Sequence, residues 1–240
     1  MTLQGKNVLI AGGGSGIGLG IAQALLSEGC RVAVTGRTEE TLRAVAEATP
    51  ALRFRTCDVS DRAQVAALFD WFHEELGPLA ILVNSAGINT KRRSTAELSG
   101  EDWDRILAIN TTGAFNCVQA ALPEMRERRD GLIVNIGSIS GKRALKLAGM
   151  AYSASKFAMD ALGTAVRLEE AVNGIRVTNI HPGEVATPIL KQRPVPVPPE
   201  RIAQMLQPED LGALVVAIAK LPPRAVVPEL IITPLYQEYA

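Results

Sequence analysis

Short runs of apolar residues alternate along the chain with stretches whose apolar positions recur at helical spacing. Strand-like runs fall at 7–11, 31–35, 53–56, 79–84, 131–136 and 174–180, with a seventh predicted at 226–232. Between them the spacing predicts helices over 16–28, 38–48, 61–76, 103–128 and 151–172, the second with Thr38 as its N-cap. The strands are apolar throughout rather than alternating. Strands of that kind are buried on both faces, and the intervening helices are the crossovers that a parallel sheet needs. The predicted fold class is α/β: one domain over 1–240, a doubly wound seven-stranded parallel sheet with helices on both faces. The segment 193–199 reads Arg-Pro-Val-Pro-Val-Pro-Pro, which excludes a helix. It follows the sixth strand, where a loop over a ligand crevice is expected, so 188–210 is the expected substrate-loop region.

The first strand runs into Gly12-Gly13-Gly14-Ser15-Gly16-Ile17-Gly18. A glycine turn between a strand and a helix lets the backbone approach a pyrophosphate closely, and the helix N-terminus behind it favours negative charge. Gly12, Gly14, Ser15, Gly16, Ile17 and Gly18 are therefore candidate cofactor-binding residues. The spacing is Gly-x-x-x-Gly-x-Gly rather than GxGxxG. At the tip of the second strand, Thr35-Gly36-Arg37, no acid is present to accept bonds from ribose hydroxyls. A guanidinium there suits a phosphate, so the expected cofactor is NADP, with NAD less favoured. Glu39 and Glu40 lie nearby, in the first turn of the next helix, where acids are stabilising for local reasons. Asp58, after the third strand, is a candidate acceptor for the adenine amino group or else a turn residue. Further on, Tyr152 and Lys156 stand four apart in a helical stretch. Residues at i and i+4 share a face, so an ammonium beside the phenol is expected to ease its ionisation and give an acid/base usable near neutral pH.

Taken in order, these motifs resemble the short-chain dehydrogenase/reductase family along nearly the whole chain. The glycine turn begins with Ala11 where the family usually has Thr. Asp58-Val59 is similar to the family's Asp-Val pair, and Asn84-Ser85-Ala86-Gly87 to its Asn-Asn-Ala-Gly, with Ser in place of the second Asn. Asn110, Ser138 in Asn135-Ile136-Gly137-Ser138, Tyr152 with Lys156, Pro182-Gly183 and Thr187 fall at the family's offsets. The resemblance implies a Rossmann fold and four catalytic residues. Tyr152 is the expected general acid/base, and Lys156 its partner and a ligand of the nicotinamide ribose. Ser138 is expected to bond the substrate oxygen, with Ser140 its competitor on residue type alone, and Asn110 to hold a relay water. Asn84, Ala86 and Gly87 join Arg37, Asp58, Val59, Tyr152 and Lys156 as expected cofactor contacts, and Pro182, Gly183, Val185 and Thr187 are expected around the carboxamide. The resemblance also implies a homodimer or homotetramer.

Composition narrows the rest. The 25 basic and 25 acidic residues of the 240 cancel, so no global charge favours nucleic acid or an anionic membrane. Apolar runs are interrupted too soon to span a bilayer, and no leader is evident, which points to a cytoplasmic protein. Cys30, Cys57 and Cys117 are too few and too scattered for a metal or disulfide framework and read as buried thiols. His181 is expected to make a structural hydrogen bond. Substrate choice is expected to rest on 188–210 and on 141–150, with Lys142, Arg143, Leu145, Leu147 and Met150. That mixture suits an apolar body with an anionic end; a 3-oxoacyl group is one such ligand, and small ketones and aldehydes are others. The leading expectation is a hydride-transferring carbonyl reductase or alcohol dehydrogenase. An idle NADP sensor and an epimerase or dehydratase using the same site are the alternatives.

Overall fold

The computed structural model describes residues 1–239. Seven strands, β1 (Asn7–Ala11), β2 (Arg31–Gly36), β3 (Arg53–Thr56), β4 (Ile81–Asn84), β5 (Gly131–Ile136), β6 (Ile175–Pro182) and β7 (Glu229–Ile232), form one sheet in the order β3-β2-β1-β4-β5-β6-β7. Every neighbouring pair is parallel. The helices are α1 (Gly16–Ser27), α2 (Glu39–Ala48), α3 (Arg62–Leu76), α4 (Gly100–Leu107), α5 (Gly113–Arg128), α6 (Met150–Glu170), α7 (Pro199–Ile202) and α8 (Pro208–Ala219).

The unbroken apolar character of the strands has a direct cause. Val8, Ile10, Val32, Val34, Val83 and Val134 face a core shared with Ile21 and Leu25 of α1 and Leu211 and Val215 of α8. Their neighbours Leu9, Ala33, Leu82, Ile133 and Val177 face a second core with Phe69 and Phe72 of α3 and Cys117 and Met125 of α5. Alternate residues thus enter opposite cores, as a sheet covered on both faces requires.

Element ends shift from expectation where local bonds decide them. Thr38 does stand at the N-cap of α2, but its side chain makes no capping bond. Asp61 caps α3 by accepting from the backbone N–H groups of Ala63 and Gln64. The long helix expected over 103–128 begins earlier, because Ser99 caps Asp102, and it is interrupted by a π-turn at Ala108–Thr112. Sequence reasoning missed α8, although its start was signalled by Pro208 in the first turn and by Asp210, whose carboxylate accepts the Gln207 N–H at 2.8 Å. The prolines at 194, 196 and 198 keep that stretch out of helix, and Pro199 then opens the short α7.

A row of buried asparagines crosses the sheet. Asn84, Asn135 and Asn179 are register partners on β4, β5 and β6. Asn84 donates to Asn135 Oδ1 at 2.9 Å, and Asn135 to Asn179 Oδ1 at 3.0 Å. Asn179 then donates to both the carbonyl and the carboxylate of Asp160 on α6, each at 3.0 Å. Three strands and a helix are thereby locked in one alignment, since a slip of either leaves buried amides unpaired. Close approach of α6 depends on Gly163, where a Cβ would overlap Asn179 Oδ1 and come within 2.6 Å of Asn135 Nδ2. Gly163→Ala is therefore expected to destabilise the protein by about 1–3 kcal/mol, read as a lower urea midpoint at unchanged m-value. An unchanged midpoint would show that the row yields without cost.

Candidate active site

The strand order reverses between β1 and β4, so the loops leaving their carboxyl ends run in opposite directions and open a crevice there. A cleft of about 580 Å³ occupies that position. One end is lined by Gly12, Ser15, Gly16, Ile17 and Arg37, the middle by Ala86, Gly87, Ser138, Tyr152, Lys156, Pro182, Gly183, Val185 and Thr187, and the far end by Arg93, Leu145, Leu147, Ile189 and Leu190.

The glycine turn is shaped by contacts that admit no side chain. Gly12 has φ +81°, and a Cβ there would lie 2.5 Å from the Ala86 nitrogen. Gly16 has φ +53° and backs onto Thr187. Gly18 and Gly14 do not line the cleft. A Cβ on Gly18 would strike the Gly12 carbonyl, and Gly14 packs on Leu42, so both shape the turn from behind. Exposed Arg37 lines the cleft and has no carboxylate within ion-pair distance among the described residues. Glu39 instead pairs with Arg43. A backbone able to touch a pyrophosphate, a helix N-terminus and an uncommitted guanidinium fit a dinucleotide bearing an extra phosphate.

Three predicted contacts are not among the residues that line the cleft. Asp58 Oδ1 accepts from the Ser60 backbone at 2.9 Å and from its hydroxyl at 2.6 Å, as a turn residue does, and Asp58 does not line the cleft. Val59 is buried against Gly113. The Asn84 side chain belongs to the asparagine row, with Oδ1 buried and unpartnered.

The four expected catalytic residues converge, with their bonding rearranged from expectation. Ser138 Oγ accepts the Ser140 N–H at 3.1 Å, and its carbonyl meets His181 Nδ1 at 3.1 Å. Ser138 and Ser140 both line the cleft, and of the two it is the Ser138 side chain that lowers the Tyr152 pKa. Burial raises the Tyr152 pKa; the Ser138 side chain and the Arg93 charge oppose that rise. The lysine was expected to be what eases ionisation, yet Lys156 contributes no resolved effect here. Its Nζ stands 5.6 Å from the centre of the Tyr152 ring and donates to the Ile136 carbonyl at 2.8 Å. Lys156 is 4% exposed, and burial brings its pKa down to about 8. Asn110 is buried in the π-turn. It donates to the Ile88 carbonyl at 3.0 Å and to Ser155 Oγ at 3.0 Å, and accepts the Ile88 N–H at 2.8 Å. Both of its N–H groups are thus committed to protein, and the side chain braces α6 against the exit of β4 rather than projecting into the cleft.

Residues expected to set specificity divide. Leu145, Leu147, Ile189 and Leu190 reach the cleft; Lys142, Arg143, Met150, Lys191, Met205 and Leu206 do not. Lys142 bonds Asp160 at 3.0 Å and Glu229 at 2.8 Å, inside a group in which the ligand atoms of Asp160, His181 and Glu229 come within 4.8 Å of one another. The loop after β6 is held by Glu184, which accepts from Arg193, Arg201 and the Tyr236 hydroxyl. Sequence reasoning missed that clamp and also missed Arg93, which in Lys91-Arg92-Arg93 looks like part of a solvated basic run.

A family model for short chain dehydrogenases matches residues 6–195. The chain belongs to the short chain dehydrogenase family. A glycine betaine reductase of Emericella nidulans is 35% identical over 241 residues, covering 97% of this chain, although the chain spans only 19% of that much longer protein. A 3-alpha-(or 20-beta)-hydroxysteroid dehydrogenase of Mycobacterium tuberculosis is 36% identical over 90% of the chain and 83% of its own length. Among solved structures, the closed form of a serine dehydrogenase complexed with NADP+ superposes with a TM-score of 0.89 at 29% identity, covering 98% of this chain and 97% of the other. Among the described residues, no helix is long and apolar enough to cross a membrane. The three cysteines are free and buried, and burial raises the Cys30 and Cys57 thiols to about 11 and Cys117 to about 12.

The depressed Lys156 pKa makes a stability prediction. Between about 8 and the unperturbed 10.5, an unfolded chain holds the lysine proton and the folded one does not, so stability rises with pH across that window. Lys156→Met removes the titration. Its stability relative to the parent should be highest below pH 8 and fall by about 3 kcal/mol by pH 10.5, while activity is lost. A pH-independent difference between the two in urea titrations would mean that the ammonium is not penalised by burial.

Proposed function

We propose that the protein is an NADP-dependent oxidoreductase interconverting a carbonyl and an alcohol, with Tyr152 as general acid/base. The observation that carries this reading is the meeting of Ser138, Tyr152 and Lys156 in one cleft that begins at the glycine turn and Arg37. Bound NADP(H) supplies or accepts the hydride. The glycine turn and the N-terminus of α1 hold its pyrophosphate, Arg37 its additional phosphate, and the segment from Pro182 to Thr187 its carboxamide. Ser138 donates to the substrate oxygen and steadies the charge that develops on it. Tyr152 gives its proton to that oxygen in reduction and takes it back in oxidation. Lys156, held against Ile136 beside the tyrosine, orients the ribose and restores the proton. Asn110 keeps α6 in place beneath both. The NADP+ complex of the serine dehydrogenase supports the cofactor choice, and the hydroxysteroid dehydrogenase supports the reaction class. Ketones, aldehydes and 3-oxoacyl groups are the substrate range, with the 188–210 loop shaping it. Exposed Phe115 on α5 and Phe157 on α6 support pairing of those helices between copies in a homodimer or homotetramer.

Tyr152→Phe is expected to lower turnover at least about 100-fold, the low end for a lost acid/base, with NADPH affinity unchanged by fluorescence titration. Near-normal turnover would remove the assignment. Arg37→Gln should weaken NADPH binding about 10-fold or more and leave NADH binding unaltered; equal effects on both would place the additional phosphate elsewhere.

A further inference from the structure

Arg93 lies at the far end of the cleft and is 8% exposed. It stands on a segment stitched beneath the N-terminus of α6. Asn89 donates to the Ala148 carbonyl at 3.0 Å, and Gly149, with φ +80°, packs so closely on Arg93 that a Cβ would lie 2.7 Å from the Arg93 carbonyl. The side chain then donates to three backbone carbonyls: Nε to Thr90 at 2.7 Å, Nη1 to Leu147 at 3.0 Å, and Nη2 to Gln192. Among the described residues, no carboxylate lies within ion-pair distance of it. Its ionic neighbour is another cation, Arg193, whose own charge is answered by Glu184 at 2.6 Å.

A buried guanidinium without a counter-charge is costly, and carbonyl dipoles only partly offset that cost. Tyr152 supplies no counter-charge while its phenol keeps its proton, which burial favours. The count of donors says what is wanted. A guanidinium carries five N–H groups, and three are bound to carbonyls, leaving one on each terminal nitrogen. Two N–H groups on the two terminal nitrogens match the two oxygens of one carboxylate. Arg93 and Tyr152 line the same cleft, so one small molecule can present its anion to the first and its carbinol oxygen to the second.

We infer that the substrate is a hydroxy acid, or the matching oxo acid, whose carboxylate is bound by Arg93. This rests on the proposed oxidoreductase reading. In oxidation the carbinol C–H bond breaks, its hydride passes to the nicotinamide cofactor, the hydroxyl proton passes to Tyr152, and the carboxylate is unchanged. Leu145, Leu147 and Ile189 enclose the carbon chain. Because Gln192 is bonded to the same guanidinium, an occupied carboxylate subsite is also in contact with the 188–210 loop.

The test uses the whole protein with NADP+ and 2-, 3- and 4-hydroxybutanoate, each beside its methyl ester, with uncharged ketones and NADPH as a control for the chemistry. At least one acid should show kcat/KM about 10- to 100-fold above its own ester. Arg93→Met should bring the acid-to-ester ratio down to about 1. The corresponding oxobutanoate should raise the Tm of the NADPH complex of the parent but not of Arg93→Met. If Arg93→Met does not fold, the acid-to-ester ratio and the Tm shift of the parent decide the matter. Esters equal to or better than all three acids, or uncharged ketones reduced while every acid is inert, would overturn the carboxylate subsite and leave the oxidoreductase reading standing. No turnover of any compound with either cofactor would overturn both.

Discussion

The hydrogen-bonded row from Asn84 through Asn135 and Asn179 to Asp160 is the contact on which the site depends. Hydrophobic packing alone fixes a parallel sheet loosely, because Val, Ile and Leu tolerate small slips against one another. Buried amides do not, since each must find its partner at one register. Here the row joins the three strands whose loops supply Gly87, Ser138 and Pro182, and it ends on the helix that carries Tyr152 and Lys156. Gly163 lets that helix come close enough for the last bond to form. The relative positions of a hydroxyl, a phenol and an ammonium are thus set by amides that take no part in the chemistry.

Two cations are buried near the tyrosine, and the structure treats them differently. Lys156 relieves its burial by losing affinity for its proton, down to about 8, which keeps it able to exchange protons near neutral pH. Arginine has no such outlet, because its guanidinium stays charged. Arg93 is instead held by three carbonyls with two N–H groups left over. One cation is poised for proton transfer and the other for an anion, and both line the cleft that holds the phenol.

Much of this was legible in the sequence because it depends on local spacing. The glycine turn, Tyr152 with Lys156 and the unbroken apolar strands each state their geometry within a few residues. Roles that depend on distant partners were not legible. Nothing near Asn84 indicates that its amide points along the sheet rather than toward a cofactor, and nothing near Asn110 indicates that Ile88 and Ser155 take both of its N–H groups. Lys156 was expected to govern the phenol because i and i+4 share a helix face. Packing places the ammonium beside the ring and against the Ile136 carbonyl. Arg93 looks like a solvated residue of a basic run until the turn at 145–149 folds over it. α8 is the exception: Pro208, Asp210 and the spacing of Leu211, Val215 and Ile218 were all in view.

The account stands on hydride transfer between NADP and a carbon whose oxygen is protonated by Tyr152. The most direct measurement is a single-turnover reaction of the protein with NADPH deuterated at the transferring position and a panel of ketones and oxo acids, analysed by mass spectrometry of the product alcohol. The expected result is one deuterium on the carbinol carbon from NADPH and far less transfer from labelled NADH. Tight binding of NADPH with no deuterium reaching any acceptor would contradict it.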